Sequence, residues 1–225
     1  MNNSEILLKV AEPRTDFFEQ ADVPDFAKAA HLLTTRRSIR RYLPEPVSTK
    51  TILDLLAIAI TAPSAHNRQP WRFAVLNTGE AKTRLAQAMG ERLRADRLAD
   101  CDDAHAVDID VRRSFDRITQ APAAIVVCTT VVDMDRYPDR LRNEAEKIMA
   151  IQGTAMAVQN LLVAAHAAGL GACWMCAPLF CPEVVTHALE LPQDWEPHSL
   201  ITMGWPANGG KPFSRRPISE IIRFA

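Results

Sequence analysis

Two basic segments and one amide-rich loop carry most of the side chains able to do chemistry. Arg36-Arg37-Ser38-Ile39-Arg40-Arg41 combines guanidinium forks, which match a phosphate, with a serine hydroxyl as a neutral donor. If this stretch is helical, Arg36 and Arg40 lie one turn apart on one face, and so do Arg37 and Arg41. One pair can then grip an anion while the other meets solvent, although a wholly solvated basic face has the same composition. Far along the chain, Lys211-Pro212-Phe213-Ser214-Arg215-Arg216-Pro217 is a second basic cluster. It either converges on the same anion or forms an ordinary charged tail.

Between Pro63 and Pro70, Ser64, Asn67 and Gln69 supply groups that donate and accept together. That chemistry suits the edge of a heterocycle, and equally a loop that satisfies its own backbone. Cys173-Trp174-Met175-Cys176 reads as a strand, where side chains three apart point to opposite faces. The two thiols are therefore expected neither to pair nor to share a metal, while the strand's end offers backbone N–H groups to a ligand. The six histidines show no metal spacing, and no metal site is expected. A Gly-x-Gly-x-x-Gly fingerprint, a Walker-type loop and a nucleophile elbow are all missing.

The totals narrow the classes further. With 26 basic and 27 acidic residues the net charge is −1, so no global field favours nucleic acid or an anionic membrane. Five scattered cysteines do not make a secreted disulfide framework. The N-terminal residues lack a basic region followed by an apolar stretch, and the expected location is the cytoplasm. The longest apolar run, roughly 150–171, is interrupted by Gln152, Gln159, Asn160 and His166, which favours a buried helix over a membrane span.

The elements that position these segments follow from periodicity. Residues 1–29 read as an N-terminal arm and 30–225 as one domain. Phe26, Ala29, Ala30 and Leu33 share a helical face, and that helix is expected to run into the basic segment until Pro44 and Pro46 stop it. Ser48 caps a second helix with an Ile52, Leu55, Leu56, Ala59 stripe. Strands are expected at 71–76, 123–132, 172–176 and 200–204. Helices are expected at about 80–98 and 144–168, the latter closed by Gly169-Leu170-Gly171. Residues 100–118 are charged and weakly periodic, as a mobile lid or an extension setting substrate choice would be. Short strands among longer helices make an α+β fold. The long apolar helix is hydrophobic nearly all round, which is easiest to bury if a second subunit covers part of it.

The order of these segments resembles the nitroreductase family. The resemblance runs through Arg36-Arg37-Ser38-Ile39-Arg40 and Ala62-Pro63-Ser64-Ala65-His66-Asn67-Arg68-Gln69-Pro70-Trp71. It continues through Gln159-Asn160-Leu161-Leu162, Gly169-Leu170-Gly171-Ala172-Cys173-Trp174, Gly204-Trp205-Pro206 and Lys211 with Arg215-Arg216-Pro217, covering roughly residues 30–221. It implies a small antiparallel-rich mixed sheet flanked by helices, in an intertwined homodimer with two FMN sites at the interface. By the same resemblance Arg36, Arg37 and Ser38, with Arg40, would hold the FMN phosphate, and Arg215 with Arg216 would close on it. Asn67, with Ser64 and Gln69, would meet the isoalloxazine ring. The backbone at Cys176 and Ala177 would approach N5, although Met175-Cys176-Ala177-Pro178-Leu179 departs from the small glycine-containing sequence of many relatives.

Within the family, Trp174 to Pro197 looks closest to the flavin-binding C-terminal domain of the deazaflavin coenzyme (F-420) glutamyl ligase. The implied activity is FMN-dependent reduction of a small aromatic, nitro, quinone or deazaflavin-type substrate, with NADH or NADPH as donor. Two alternatives stand beside it: a deazaflavin-binding or biosynthetic partner domain with little turnover, and an oxygen-using flavin enzyme. No nucleic-acid or membrane partner is implied.

Overall fold

The computed structural model describes residues 25–224; most of the expected N-terminal arm lies outside them. Four helices begin where the sequence offers an oxygen for an orphan N–H. Asp25 caps α1 (Phe26–Thr35), Ser48 caps α2 (Thr49–Ala59), Thr78 caps α3 (Gly79–Ala99) and Asp103 caps α4 (Ala104–Thr119). Asp139 does the same for α5 (Arg140–Ala167), whose far end is closed by a left-handed Gly169. There the Gly169 and Leu170 N–H groups bond the His166 and Ala165 carbonyls, the paired pattern of a glycine-terminated helix. A short α6 (Pro182–Leu189), begun by a proline at its first position, was not anticipated.

The strands are β1 (Trp71–Leu76), β2 (Ala123–Thr129), β3 (Gly171–Met175) and β4 (Glu196–Gly204), ordered β1-β2-β4-β3 with every pairing antiparallel. All seven residues of β2 are buried, as a central strand covered on both faces requires. One core layer packs α2 and α5 on the sheet through Ile52, Leu55, Val158, Leu161, Ile201 and Met203. The other packs α3 and α6 through Leu85, Met89, Val126, Val185 and Leu200. The α+β expectation holds. Helix α5 has the length and hydropathy of a membrane span, yet half of its apolar window is buried in the protein and it reads as a core helix.

Two expectations fail. Helix α1 ends at Thr35, and Arg36 is already extended (φ −58°, ψ 133°). Residues 36–43 run along β3 and past its start: Ser38 pairs in parallel with Ala172, the Ile39 N–H donates to the Ala172 carbonyl at 3.0 Å, and Tyr42 pairs with Pro206. The reason is tertiary, because the open edge of β3 has backbone groups to satisfy and buries Ile39 in return. The charged stretch 100–118 is likewise not the weakly periodic segment expected. Most of it is α4, packed along α3 with Val107 and Ile118 buried. Its acids are matched by arginines of α3, Arg94 to Asp108 and Arg97 to Asp102 and Asp110.

Candidate functional site

An extended backbone changes which basic side chains act together. With a period of two, Arg36, Ser38 and Arg40 alternate against Arg37 and Ile39. Ile39 points inward and lies against Gly171, where an added Cβ would fall 2.6 Å from the Ile39 Cβ. That glycine lets the basic segment press onto β3. Tyr42 bolts the far end: its hydroxyl donates within reach of the Ile39 carbonyl (2.6 Å) and the Thr202 carbonyl (2.9 Å), with the Thr202 hydroxyl also at 2.9 Å. Burial pushes the Tyr42 phenol well above its usual range, keeping it neutral. Arg40 leans toward the buried Cys173 thiol. Burial raises that thiol's pKa, and Arg40, Arg117 and Arg36 partly oppose the rise.

The C-terminal cluster comes to the same edge. Its Gly210 takes a left-handed backbone (φ 77°) close against Arg37 and Ile39. The Arg37 and Arg215 guanidinium carbons each stand 4.2 Å from the centroid of the Phe213 ring. Arg37 also donates to the Thr34 carbonyl at 2.6 Å and the Arg36 carbonyl at 3.0 Å, closing the end of α1. Nearby, the His166 imidazole is held below its ordinary pKa, first by burial and then by Arg36, Arg37 and His31.

Charge pairing distinguishes this edge from much of the surface, where only isolated arginines such as Arg117 and Arg136 also meet no carboxylate among the described residues. Arg68, Arg72, Arg84, Arg92, Arg94 and Arg97 each meet a carboxylate. Among the described residues none of Arg36, Arg37, Arg40, Arg215 and Arg216 does. Crowded cations that meet no counter-charge among the described residues make a ready receptor for an anion with several acceptor oxygens.

The loop carrying Ser64, Asn67 and Gln69 lies elsewhere. It precedes β1, the opposite edge of the sheet from β3, about three strand spacings or roughly 14 Å away. Its backbone is strained: His66, Asn67 and Gln69 all have positive φ, at 49°, 54° and 50°. The Ser64 hydroxyl accepts the Gln69 N–H at 3.0 Å, so part of its capacity serves the loop itself. The Asn67 and Gln69 side chains are exposed.

At the end of β3, Cys176 is exposed while Cys173 is buried, as alternation requires. The Trp174 indole N–H donates to the Cys176 sulfur at 3.1 Å. Ala177 then opens a short turn, Ala177–Phe180, leaving Phe180 largely exposed. Cys176 and Ala177 are thus one strand length along β3 from Ser38, roughly 13 Å. Phe213 and Tyr42 escaped the sequence reading; an aromatic set inside a run of Lys and Arg was the available signal for the first.

Comparison with known proteins places the fold. Residues 33–205 match the Nitroreductase family, and the chain belongs to it. It is an oxidoreductase of that family. A Thermus thermophilus protein named NADH dehydrogenase is 31% identical over 207 residues, covering 87% of this chain and 94% of that one. The 5,6-dimethylbenzimidazole synthase of Rhodospirillum rubrum is 28% identical over 194 residues, 86% of each chain. Among solved structures, an FMN complex of a nitroreductase-type protein from Desulfovibrio desulfuricans superposes with a TM-score of 0.66 at 28% identity. It covers 87% of this chain and 95% of that one.

Proposed function

We propose that the protein is an FMN-dependent reductase of small aromatic, nitro, quinone or deazaflavin-type substrates, with NADH or NADPH as donor. The observation that carries this is the arginine edge of β3, where guanidiniums from distant parts of the chain meet without a carboxylate among the described residues. A phosphate dianion fits that donor set, with the Ser38 hydroxyl as neutral partner. From there an extended chain can follow β3 toward Cys176 and Ala177, whose backbone N–H groups lie where a flavin ring would end. Bound in this way, FMN supplies hydride transfer. The residues position it, exclude water and stabilise the charge that reduction brings, and none is required to donate or remove a proton.

Ser64, Asn67 and Gln69 are too far across one protomer to share that ring. A homodimer removes the difficulty, because the partner's loop can complete each site. Exposed apolar residues on α5 and α2, Ile148, Met156, Leu53 and Ile58, support such an interface.

The test is the absorption spectrum of the purified protein and the identity of the chromophore released on denaturation. FMN near one per subunit is the expected result. Arg36→Ala should weaken its retention about 10- to 100-fold, the effect of losing a charged hydrogen bond worth about 1.5–3 kcal/mol. A colourless protein that refuses added FMN overturns the proposal. Release of a deazaflavin would favour the coenzyme-binding reading, which the resemblance of Trp174 to Pro197 motivates. Productive oxygen consumption by reduced protein only with its substrate would favour the oxygen-using one.

A further inference from the structure

We propose that Phe213 is a positioning residue for the cofactor phosphate: its ring docks on Arg37 as an anchor and carries Arg215 with it, so that the C-terminal guanidinium is in place before the anion arrives. The inference rests on the FMN reading above. Residues 205–224 are all exposed and carry Lys211, Arg215 and Arg216 past a segment holding Arg36, Arg37, Arg40 and Arg41. Like charges alone would drive such a tail away from that segment.

The geometry shows what opposes that. Arg37 donates to two backbone carbonyls, giving the ring an anchored cation. The ring lies 4.2 Å from that cation and 4.2 Å from Arg215. Each positive charge is attracted by the ring's electron-rich face. The left-handed Gly210 brings the chain in close, since a Cβ there would sit 3.1 Å from both Arg37 Cβ and Ile39 Cδ1. The Arg215 guanidinium also donates to the Ser214 carbonyl at 3.0 Å, which folds it back over the ring. Phe213 itself need not touch the cofactor. It converts a repelled tail into a docked one.

The experiment compares FMN with riboflavin, which lacks the phosphate, by quenching of flavin fluorescence in wild type, Phe213→Leu and Phe213→Tyr. Phe213→Leu should weaken FMN binding about tenfold, on the order of 1.4 kcal/mol, and leave riboflavin binding unchanged. Phe213→Tyr, which keeps the ring, should restore FMN affinity. Equal losses for both flavins, no loss for FMN, or a tyrosine variant as weak as leucine would each overturn the proposal. Wild-type protein that binds neither flavin overturns the cofactor reading itself, and this inference with it.

Discussion

Ile39 decides what its neighbours can do. Had the basic segment stayed helical, Arg36 and Arg40 would have formed one grip and Ser38 would have faced another way. Burying one isoleucine against Gly171 puts Arg36, Ser38 and Arg40 in alternation instead. The residue types for an anion site were therefore legible in the sequence, and their grouping was not. His198 gives the prediction proper to this scale. Its imidazole is held below the ordinary value by burial, with Lys147 adding to the effect and Glu196 opposing it, and its buried Nε2 makes no hydrogen bond among the described residues, the Glu196 carboxylate standing 3.7 Å away. A depressed folded pKa means the neutral form is favoured in the fold. Its contribution is fully present above the unfolded value of about 6.5 and is lost as pH falls through the folded one. The thermal midpoint should drop between about pH 7.5 and pH 5, and His198→Gln should flatten that drop. An unchanged slope would assign the acid sensitivity to other groups.

Among the elements, α5 both builds the core and seats the strained loop. Gly153 faces that loop so closely that a Cβ would lie 3.2 Å from Ser64 Cβ and 3.4 Å from Pro70 Cγ. Gly153→Leu gains helix propensity, on the order of 1 kcal/mol, but must push the loop outward. The overpacking should cost about 1–3 kcal/mol of stability against that gain, while binding of both FMN and riboflavin falls on the order of tenfold, or 1.4 kcal/mol. Loss of both flavins separates a ring-edge defect from the phosphate defect expected at Phe213. Unchanged binding would remove this loop from the site. The periodic helices and the apolar strand β2 were readable because local pattern and tertiary burial agree there. The region 100–118 was misread although Val107, Val111, Phe115 and Ile118 share one helical face, because the many charges on its other sides, several of them paired to α3, mask that stripe.

At the scale of the molecule, the open question is what covers the outer face of α5. Ile148, Gln152, Met156 and Gln159 form an exposed stripe at helical spacing. Sedimentation should report twice the chain mass of 25.0 kDa. Met156→Glu places a charge in the proposed interface and should give a monomer that also loses its flavin, since burying an unpaired charge costs several kcal/mol. A dimer that keeps flavin despite the substitution would exclude this face as the interface.

The sequence by itself determined the α+β class, the main helices and strands, the family, and which side chains were available for an anion and a heterocycle. Those properties depend on local periodicity, capping and the order of short motifs. Only the tertiary structure decided that the basic segment is extended, that the C-terminal cluster joins it through Phe213, and that the amide loop stands at the opposite sheet edge. Each of these depends on backbone groups and side chains more than 100 positions apart in the chain, or on different strands of one sheet. Contacts between distant segments leave no period in a sequence.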